Sequence, residues 1–392
     1  MVRGFLYERG RHTCEREAGI ENCVDKCCRK HRRGKRRERD KDIFSVIEDM
    51  GIGINIGNTL DAIKSTSFDK DGETGWGNPK ITREYIQTLK SYGYKTVKLP
   101  VTWTNHIDLN DPAYPVAPEW LSRVTEVVNW ILDEGLYCII NMHHDAGIGL
   151  GALERLDFRW GEQNYEDVID TGFPVFKSVW KQIAAGFKNT GEKLVFEGFN
   201  EVGFDPIAVL TKGEAPTENG TAIFNKLNQI FVDVIRSSGG KNRLRYLIVP
   251  GIWHNFDVTL KAPLFKMPVD TINGRLFLGL HYFVPSNFAF GIQETWGAEE
   301  DYKELGDNFK RINDAFISKG VPVILTEYLC GAHCQEFDAR VRWMAAVTKT
   351  CLENDICPVH WEGSAEIERL PPYSMGNMLY EMWNALAAKD DQ

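Results

Sequence analysis

The sequence predicts an α/β fold: a single (β/α)8 TIM barrel, preceded by a short, basic, Cys-rich N-terminal arm. Three observations lead there. First, about eight short apolar runs, rich in β-branched or aromatic residues, recur along the chain: Ile52–Ile56, Thr96–Val101, Cys138–Met142, Leu194–Phe199, Tyr246–Val249, Phe277–Leu280, Val321–Leu325 and Ile356–His360. Each reads as a strand buried on both faces, the signature of a parallel sheet. Second, most of the intervals carry amphipathic segments, and alternation of this kind means right-handed crossovers. Third, the first strand runs into Gly57-Asn58-Thr59-Leu60-Asp61 and not into the glycine-rich phosphate loop of a doubly wound open sheet. A closed barrel also accounts for the count without an internal boundary.

The expected helices follow from periodicity. Trp120–Glu134 places Leu121, Val124, Val127, Val128 and Ile131 on one stripe at the 3.6-residue period. Arg83–Tyr92, Pro174–Phe187, Ala222–Ser237, Tyr302–Lys319 and Ala339–Asn354 show the same kind of pattern. The expected organisation is therefore an arm over residues 1–42 and a barrel over 43–392.

Composition separates these two parts. The 392 residues are 43% hydrophobic and 26% charged, values of a globular chain. Residues 1–42 hold 14 Lys/Arg against 8 Asp/Glu, which leaves the rest of the chain at a net charge of −15. An acidic body argues against nucleic acid as its partner. No window resembles a transmembrane stretch, so no membrane partner is expected. The start, Met-Val-Arg-Gly-Phe-Leu-Tyr-Glu-Arg, lacks the apolar centre of a signal peptide. A monomer is expected.

For the arm, with Arg32-Arg33-Gly34-Lys35-Arg36-Arg37, three readings stay open: a solvated tail, a cleavage segment, or a basic patch for nucleic acid. Cys14, Cys23, Cys27 and Cys28 crowd it; with His31 they could form an improvised metal site, disulfides or neither. Cys330 and Cys334 in the body could close a short disulfide or stay reduced.

In a barrel of this kind, functional side chains sit where strands end and βα loops begin. The first strand delivers Asn58 and Asp61, the second Lys98 and Trp103, and the third His143-His144-Asp145. The fourth delivers Asn200-Glu201, the sixth His281-Tyr282-Phe283, the seventh Glu327-Tyr328 and the eighth Trp361-Glu362; loops add Trp76 and Trp296. Strand alternation predicts that one of His143 and His144 faces the mouth and the other packs outward. Two strand-end glutamates, Glu201 and Glu327, suggest acid–base chemistry, and several indoles suit stacking on sugar rings. Paired carboxylates flanking a bond are the layout of glycoside hydrolysis. No H-x-H or H-E-x-x-H spacing supports a metal, and neither metal nor cofactor is expected.

These motifs together resemble glycoside hydrolase family 5, the cellulase family. The likeness runs through Gly57-Asn58-Thr59-Leu60-Asp61-Ala62, Glu73-Thr74-Gly75-Trp76-Gly77-Asn78-Pro79 and Lys98-Leu99-Pro100-Val101-Thr102-Trp103. It continues in Asn141-Met142-His143-His144-Asp145, Phe196-Glu197-Gly198-Phe199-Asn200-Glu201 and Tyr246-Leu247-Ile248-Val249-Pro250-Gly251. The first two segments point to its endo-β-1,4-glucanase branch. The resemblance implies Glu201 as general acid/base, Glu327 as nucleophile and Asn200 on the sugar 2-hydroxyl. It implies His143 and His281 in the surrounding network and Trp361 as the platform at the cleavage point. Asn58, Trp76, Lys98, Trp103, His144, Tyr282 and Trp296 complete the expected substrate-binding set. The implied partner is a β-glucan polysaccharide, cellulose-like, mixed-linkage or xyloglucan, cleaved internally with retention. A β-mannan or other β-glycan, or glycan binding without turnover, are the alternatives.

The chain departs from the family pattern at several points. Lys98 stands where arginine is usual, Phe283 where a tyrosine is usual, Val202 follows Asn200-Glu201 in place of proline, and Ile54 replaces a tryptophan. With the two glutamates kept, this implies an active enzyme of reduced efficiency or shifted substrate. Such hydrolases act outside the cell, and Asn219-Gly220-Thr221 fits a glycosylation site of a secreted protein.

Overall fold

The computed structural model describes residues 43–63, 72–108, 110–145, 170, 172–205, 207–331 and 336–388. The N-terminal arm with its cysteines, and Cys334, lie outside that set. Eight strands close into one barrel in sequence order, every neighbouring pair parallel. They are β1 (Gly53–Asn55), β2 (Thr96–Leu99), β3 (Tyr137–Asn141), β4 (Leu194–Glu197), β5 (Leu247–Asn255), β6 (Leu276–Tyr282), β7 (Val323–Tyr328) and β8 (Cys357–His360). All eight expected runs are strands, and the closed (β/α)8 architecture is the one expected.

The principal helices are α1 (Ile43–Met50), α2 (Arg83–Ser91), α3 (Pro118–Asp133), α4 (Phe173–Gly186), α5 (Glu218–Ser237), α6 (Glu299–Ala315), α7 (Phe337–Glu353) and α8 (Asn377–Ala387). Their limits have local causes. Thr82 caps α2 by accepting the Tyr85 N–H at 3.1 Å, and Thr217 caps α5 by accepting that of Gly220 at 3.0 Å. Helix α3 starts on Pro118, whose missing N–H is not needed in the first turn, and ends at Gly135, whose φ of +79° suits the left-handed turn after a helix. It buries Val124, Val127, Val128 and Ile131 of the stripe read from the sequence, with Trp120 beside them, while Leu121 is only half-buried. Asn219 is exposed in the first turn of α5, whereas Gly220 and Thr221 are buried there.

Two irregularities shape the barrel mouth. Between Pro250 and Asn255 the β5–β6 register shifts, so β5 bulges and carries Trp253 and His254 at positive φ. Between Leu280 and His281 the β6–β7 register also slips, and His281 comes to lie opposite Glu327. Lower in the barrel, Asn55 Nδ2 reaches the carbonyls of Thr326, Val359 and His360, tying β1 to β7 and β8. No helix among the described residues is long and apolar enough to cross a membrane.

Candidate active site

At the carboxyl ends of the strands, seven polar side chains converge: Lys98, Asn141, Glu197, Glu201, His254, His281 and Glu327. Lys98, at the penultimate position of β2, is fully buried and places Nζ 2.9 Å from Glu197 Oε2 and 3.0 Å from Glu327 Oε1. Glu197 closes β4, in register with Asn141 of β3, whose Nδ2 donates to the same Glu197 oxygen at 2.9 Å. His254, brought in by the β5 bulge, has Nε2 3.4 Å from Glu197 Oε1. Its Nδ1 accepts the backbone N–H of Glu201 at 2.9 Å, so this ring carries its proton on the side facing Glu197.

Glu201 sits just beyond β4 at φ 48°, a conformation that turns its side chain back over the mouth. Its carboxylate is 29% exposed, and one oxygen is 3.0 Å from His281 Nδ1; the other nitrogen of that ring is 3.6 Å from Glu327 Oε1. The reactive ends of Glu201, His281 and Glu327 all lie within 4.8 Å of one another. The rings of His254 and His281 stack at 4.1 Å.

Electrostatics follow from burial. Lys98, opposed by desolvation but paired with Glu197 and Glu327, is held above the ordinary lysine range. Burial would raise Glu197, but the Lys98 charge and His254 outweigh it and hold the carboxylate far below its usual range. Burial raises both Glu201 and Glu327, and the Glu201 charge raises Glu327 further against the lowering pull of Lys98. His143 and His281 are pushed well below the usual imidazole range by burial, and His144 to about 4, so these rings are neutral at pH 7.

On the far side of the mouth, Trp361 follows β8 half-exposed, its indole lying over Gly57 and stacked on His143 at 5.5 Å and 14°. A Cβ at Gly57 would lie 2.4 Å from the indole, so this close approach requires glycine. Asn200 is buried, and its Oδ1 has no hydrogen-bond partner among the described residues. Trp76 is half-buried, its N–H bound to the Ile63 carbonyl and its ring 5.5 Å from that of His144. Asn58 is also half-buried and donates to the Gly363 carbonyl at 3.3 Å.

Several expected site residues are placed elsewhere. Trp103 is fully buried; its N–H donates to the Asn141 carbonyl at 2.8 Å, and its ring belongs to the core. Tyr282 points away from the mouth despite the slip in β6: it packs against Phe256, Phe309 and Trp343, and its hydroxyl meets Asn308 at 3.3 Å. Trp296 is buried against Tyr302 at 4.8 Å, with its carbonyl taking the Arg342 guanidinium. Lys98 is sealed in the ion pairs above and presents nothing to a sugar. His143 and His144 both turn to the mouth, their rings 4.5 Å apart, because β3 ends at Asn141 and strand alternation stops there. Phe283, whose ring centre lies 5.9 Å from that of His281, offers no hydroxyl. Cys330 is a buried free thiol.

A second convergent group, Asp61, His143 and His144, also has donor atoms within 4.8 Å of one another. Both Asp61 oxygens already accept backbone N–H groups, from Thr59 at 2.8 Å and Asn58 at 3.0 Å, and the group reads as a braced wall of the cleft.

Sequence reasoning passed over Glu197, His254 and Asn141 as site residues. Glu197 carried a signal: an ionisable side chain inside the apolar run Leu194–Phe199 needs a buried partner. His254 carried none, because only the bulge turns it inward.

Residues 60–366 match the family model of cellulase, glycosyl hydrolase family 5. The chain belongs to glycoside hydrolase family 5. Within it, the chain falls in the endoglucanase branch. It is 33% identical over 346 residues to endoglucanase A of Paenibacillus barcinonensis, covering 81% of each. It is 30% identical over 349 residues to a xyloglucan-specific endo-β-1,4-glucanase of Bacteroides ovatus, covering 83% of this chain and 65% of that protein. Among solved structures, a broad-specificity endoglucanase of Ruminococcus champanellensis with bound cellotriose superposes with a TM-score of 0.77 at 26% identity, covering 90% of this chain and all of that one. Family 5 membership makes the protein a glycoside hydrolase, and the strand-end carboxylates lie where a barrel hydrolase keeps its chemistry.

Proposed function

We propose that the protein is a retaining endo-β-1,4-glucanase, with Glu201 as general acid/base and Glu327 as nucleophile. The observation that carries this reading is the short gap between the two carboxylates, whose nearest oxygens lie within 4.8 Å of each other. Carboxyl groups about 5–5.5 Å apart attack the sugar directly, whereas inverting pairs stand about 6.5–9.5 Å apart to admit a water.

Two carboxyls this close, one buried and one partly exposed, hold a single proton between them near neutrality. Lys98 touches Glu327 and not Glu201, which favours the ionised form at Glu327 and the proton at Glu201. In the first step Glu327 bonds to the anomeric carbon while Glu201 gives its proton to the leaving glycosidic oxygen. In the second, Glu201, now ionised, takes a proton from water, whose oxygen displaces Glu327 from the anomeric carbon. Trp361 is the platform under the reacting sugar, and its stacking on His143 sets its tilt. The unpartnered Oδ1 of Asn200 is the acceptor for the 2-hydroxyl, a contact that strengthens as charge develops on the ring.

The substrate is a soluble or amorphous β-1,4-linked glucan: cellulose-like, mixed-linkage or xyloglucan. Relatives named as endoglucanases, one of them xyloglucan-specific, support that class. Hydrolysis of a panel of β-glucans and β-mannan by wild type, Glu201→Ala and Glu327→Ala tests it. Each variant is expected to lose at least about a thousandfold in rate; full activity in either removes the assignment, and preference for mannan removes the substrate class.

A further inference from the structure

We propose that Glu197 is a positioning residue of this reaction, acting on Glu327 through Lys98 and on Glu201 through His254. The proposal rests on the assignment of Glu201 and Glu327 above. Glu197 is fully buried beneath the cleft and reaches no substrate, yet a single side chain separates it from the Glu327 carboxylate and another from the Glu201 backbone. Its Oε2 takes Lys98 Nζ and Asn141 Nδ2, each at 2.9 Å, while its Oε1 faces His254 Nε2 at 3.4 Å. Lys98 extends the first arm 3.0 Å to Glu327, and His254 extends the second 2.9 Å to the Glu201 backbone N–H.

A buried carboxylate with an ammonium partner is a poor stabiliser of a fold, because desolvation of both charges offsets their attraction. Its value here is geometric and electrostatic. A lysine has no planar fork to hold a carboxylate in register, so Lys98 alone would fix the distance to Glu327 and not its direction. Sharing Nζ between Glu197 and Glu327 pins the ammonium from two sides. The His254 contact likewise helps hold the backbone of Glu201 at its φ of 48°. Glu197 therefore supplies the restraint that the substitution of lysine for arginine removes.

The titratable groups facing this centre come from the ends of β2 to β7: Lys98 on β2, His143 and His144 after β3, Glu201 after β4, His254 on β5, His281 on β6 and Glu327 on β7. Among them Lys98 is the fixed cation in contact with Glu327, and Glu197 competes for it. Neutralising Glu197 leaves Lys98 entirely to Glu327, which then ionises at lower pH. Removing the Lys98 charge leaves Glu327 beside two other carboxylates, and it ionises at higher pH. The acidic limb of the kcat/KM profile reports that ionisation.

The test compares pH profiles and kcat–KM splits of wild type, Glu197→Gln, Glu197→Asp and Lys98→Met on one soluble β-glucan, with Glu327→Ala as reference. In Glu197→Gln, kcat is expected to fall roughly tenfold or more with KM within about twofold, and the acidic limb to move down by about one pH unit. In Lys98→Met the limb moves up. Glu197→Asp keeps the charge, so its limb stays in place while kcat falls from lost reach. If Lys98→Met does not fold, Lys98→Arg, which keeps the charge, is expected to leave the limb in place. Limbs that stay put in Glu197→Gln, or that move the same way in Glu197→Gln and Lys98→Met, would overturn the positioning role. A fully active Glu327→Ala would instead remove the assignment on which it rests, so the two failures are separable.

Discussion

A single methyl group at Gly57 tests whether Trp361 is the floor of the cleavage site. A Cβ there would meet three indole atoms at 2.4, 2.7 and 2.8 Å. Apolar carbons prefer about 3.5–4.0 Å, so one partner must move by about 1 Å. Gly57 is tied into the backbone, with its N–H on the Glu362 carbonyl at 2.9 Å and its own carbonyl on Arg369 at 3.0 Å. Trp361 is half-exposed, so the indole is the part that yields. Overpacking costs about 1–3 kcal/mol in a closed core; with solvent on one side the stability loss in Gly57→Ala should be about 1 kcal/mol. Catalysis is less forgiving, since a displacement of about 1 Å at a positioning surface costs on the order of a hundredfold. The assay is kcat/KM on a soluble β-glucan beside thermal unfolding, for Gly57→Ala, Trp361→Ala and the double variant. The double variant should be no slower than Trp361→Ala, because the methyl has nothing left to displace. Wild-type kcat/KM in Gly57→Ala, or full additivity in the double variant, would refute the reasoning.

Other parts of the molecule yield further expectations. The Arg245 guanidinium is buried and donates to the carbonyls of Phe187, Thr190, Gly191 and Leu194 and to Asn242 Oδ1; Arg245→Met should cost about 3 kcal/mol or more in urea unfolding while kcat of the folded protein is unchanged. His360, buried and 2.6 Å from the Tyr94 hydroxyl, is lowered from 6.5 to about 4. The unfolded chain therefore takes up its proton first: this group's contribution to stability is intact above pH 6.5 and declines as pH falls towards 4, by up to about 3 kcal/mol. His360→Gln should flatten the stability profile over that window, and an unchanged slope would contradict the shift. Asn200→Ala should depress kcat by about tenfold to a thousandfold on glucans but far less on a substrate lacking the 2-hydroxyl, as kinetics on 2-deoxy glycosides would show.

The barrel was legible because each strand is a short continuous apolar run, and the stripe Trp120–Ile131 had an unambiguous period. Strand ends also exposed Glu201, Glu327 and Asn200, since polar residues stopping a buried strand must sit on a rim. What sequence did not convey was direction. Trp103 and Tyr282 share strand-end positions with true cleft residues, yet the Trp103 ring is sealed in the core and the Tyr282 ring packs on Phe309 and Trp343 of the helix layer. His144 turns inward because regular pleating ends three residues earlier. Lys98 was visible, but its second partner, Glu197, belonged to a strand read as apolar. His254 lies in a bulge that no local pattern announces, and the departure of Lys98 from arginine makes sense only once that pair is seen in space.

The most direct test of the account is the anomeric form of the first product. Proton NMR of a soluble β-1,4-glucan oligosaccharide, recorded within seconds to minutes of adding enzyme, should show new reducing ends appearing as the β anomer before mutarotation. That result follows from two carboxylates whose oxygens lie within 4.8 Å of each other and from a double displacement. Initial release of the α anomer would contradict the assignment of Glu327 as nucleophile.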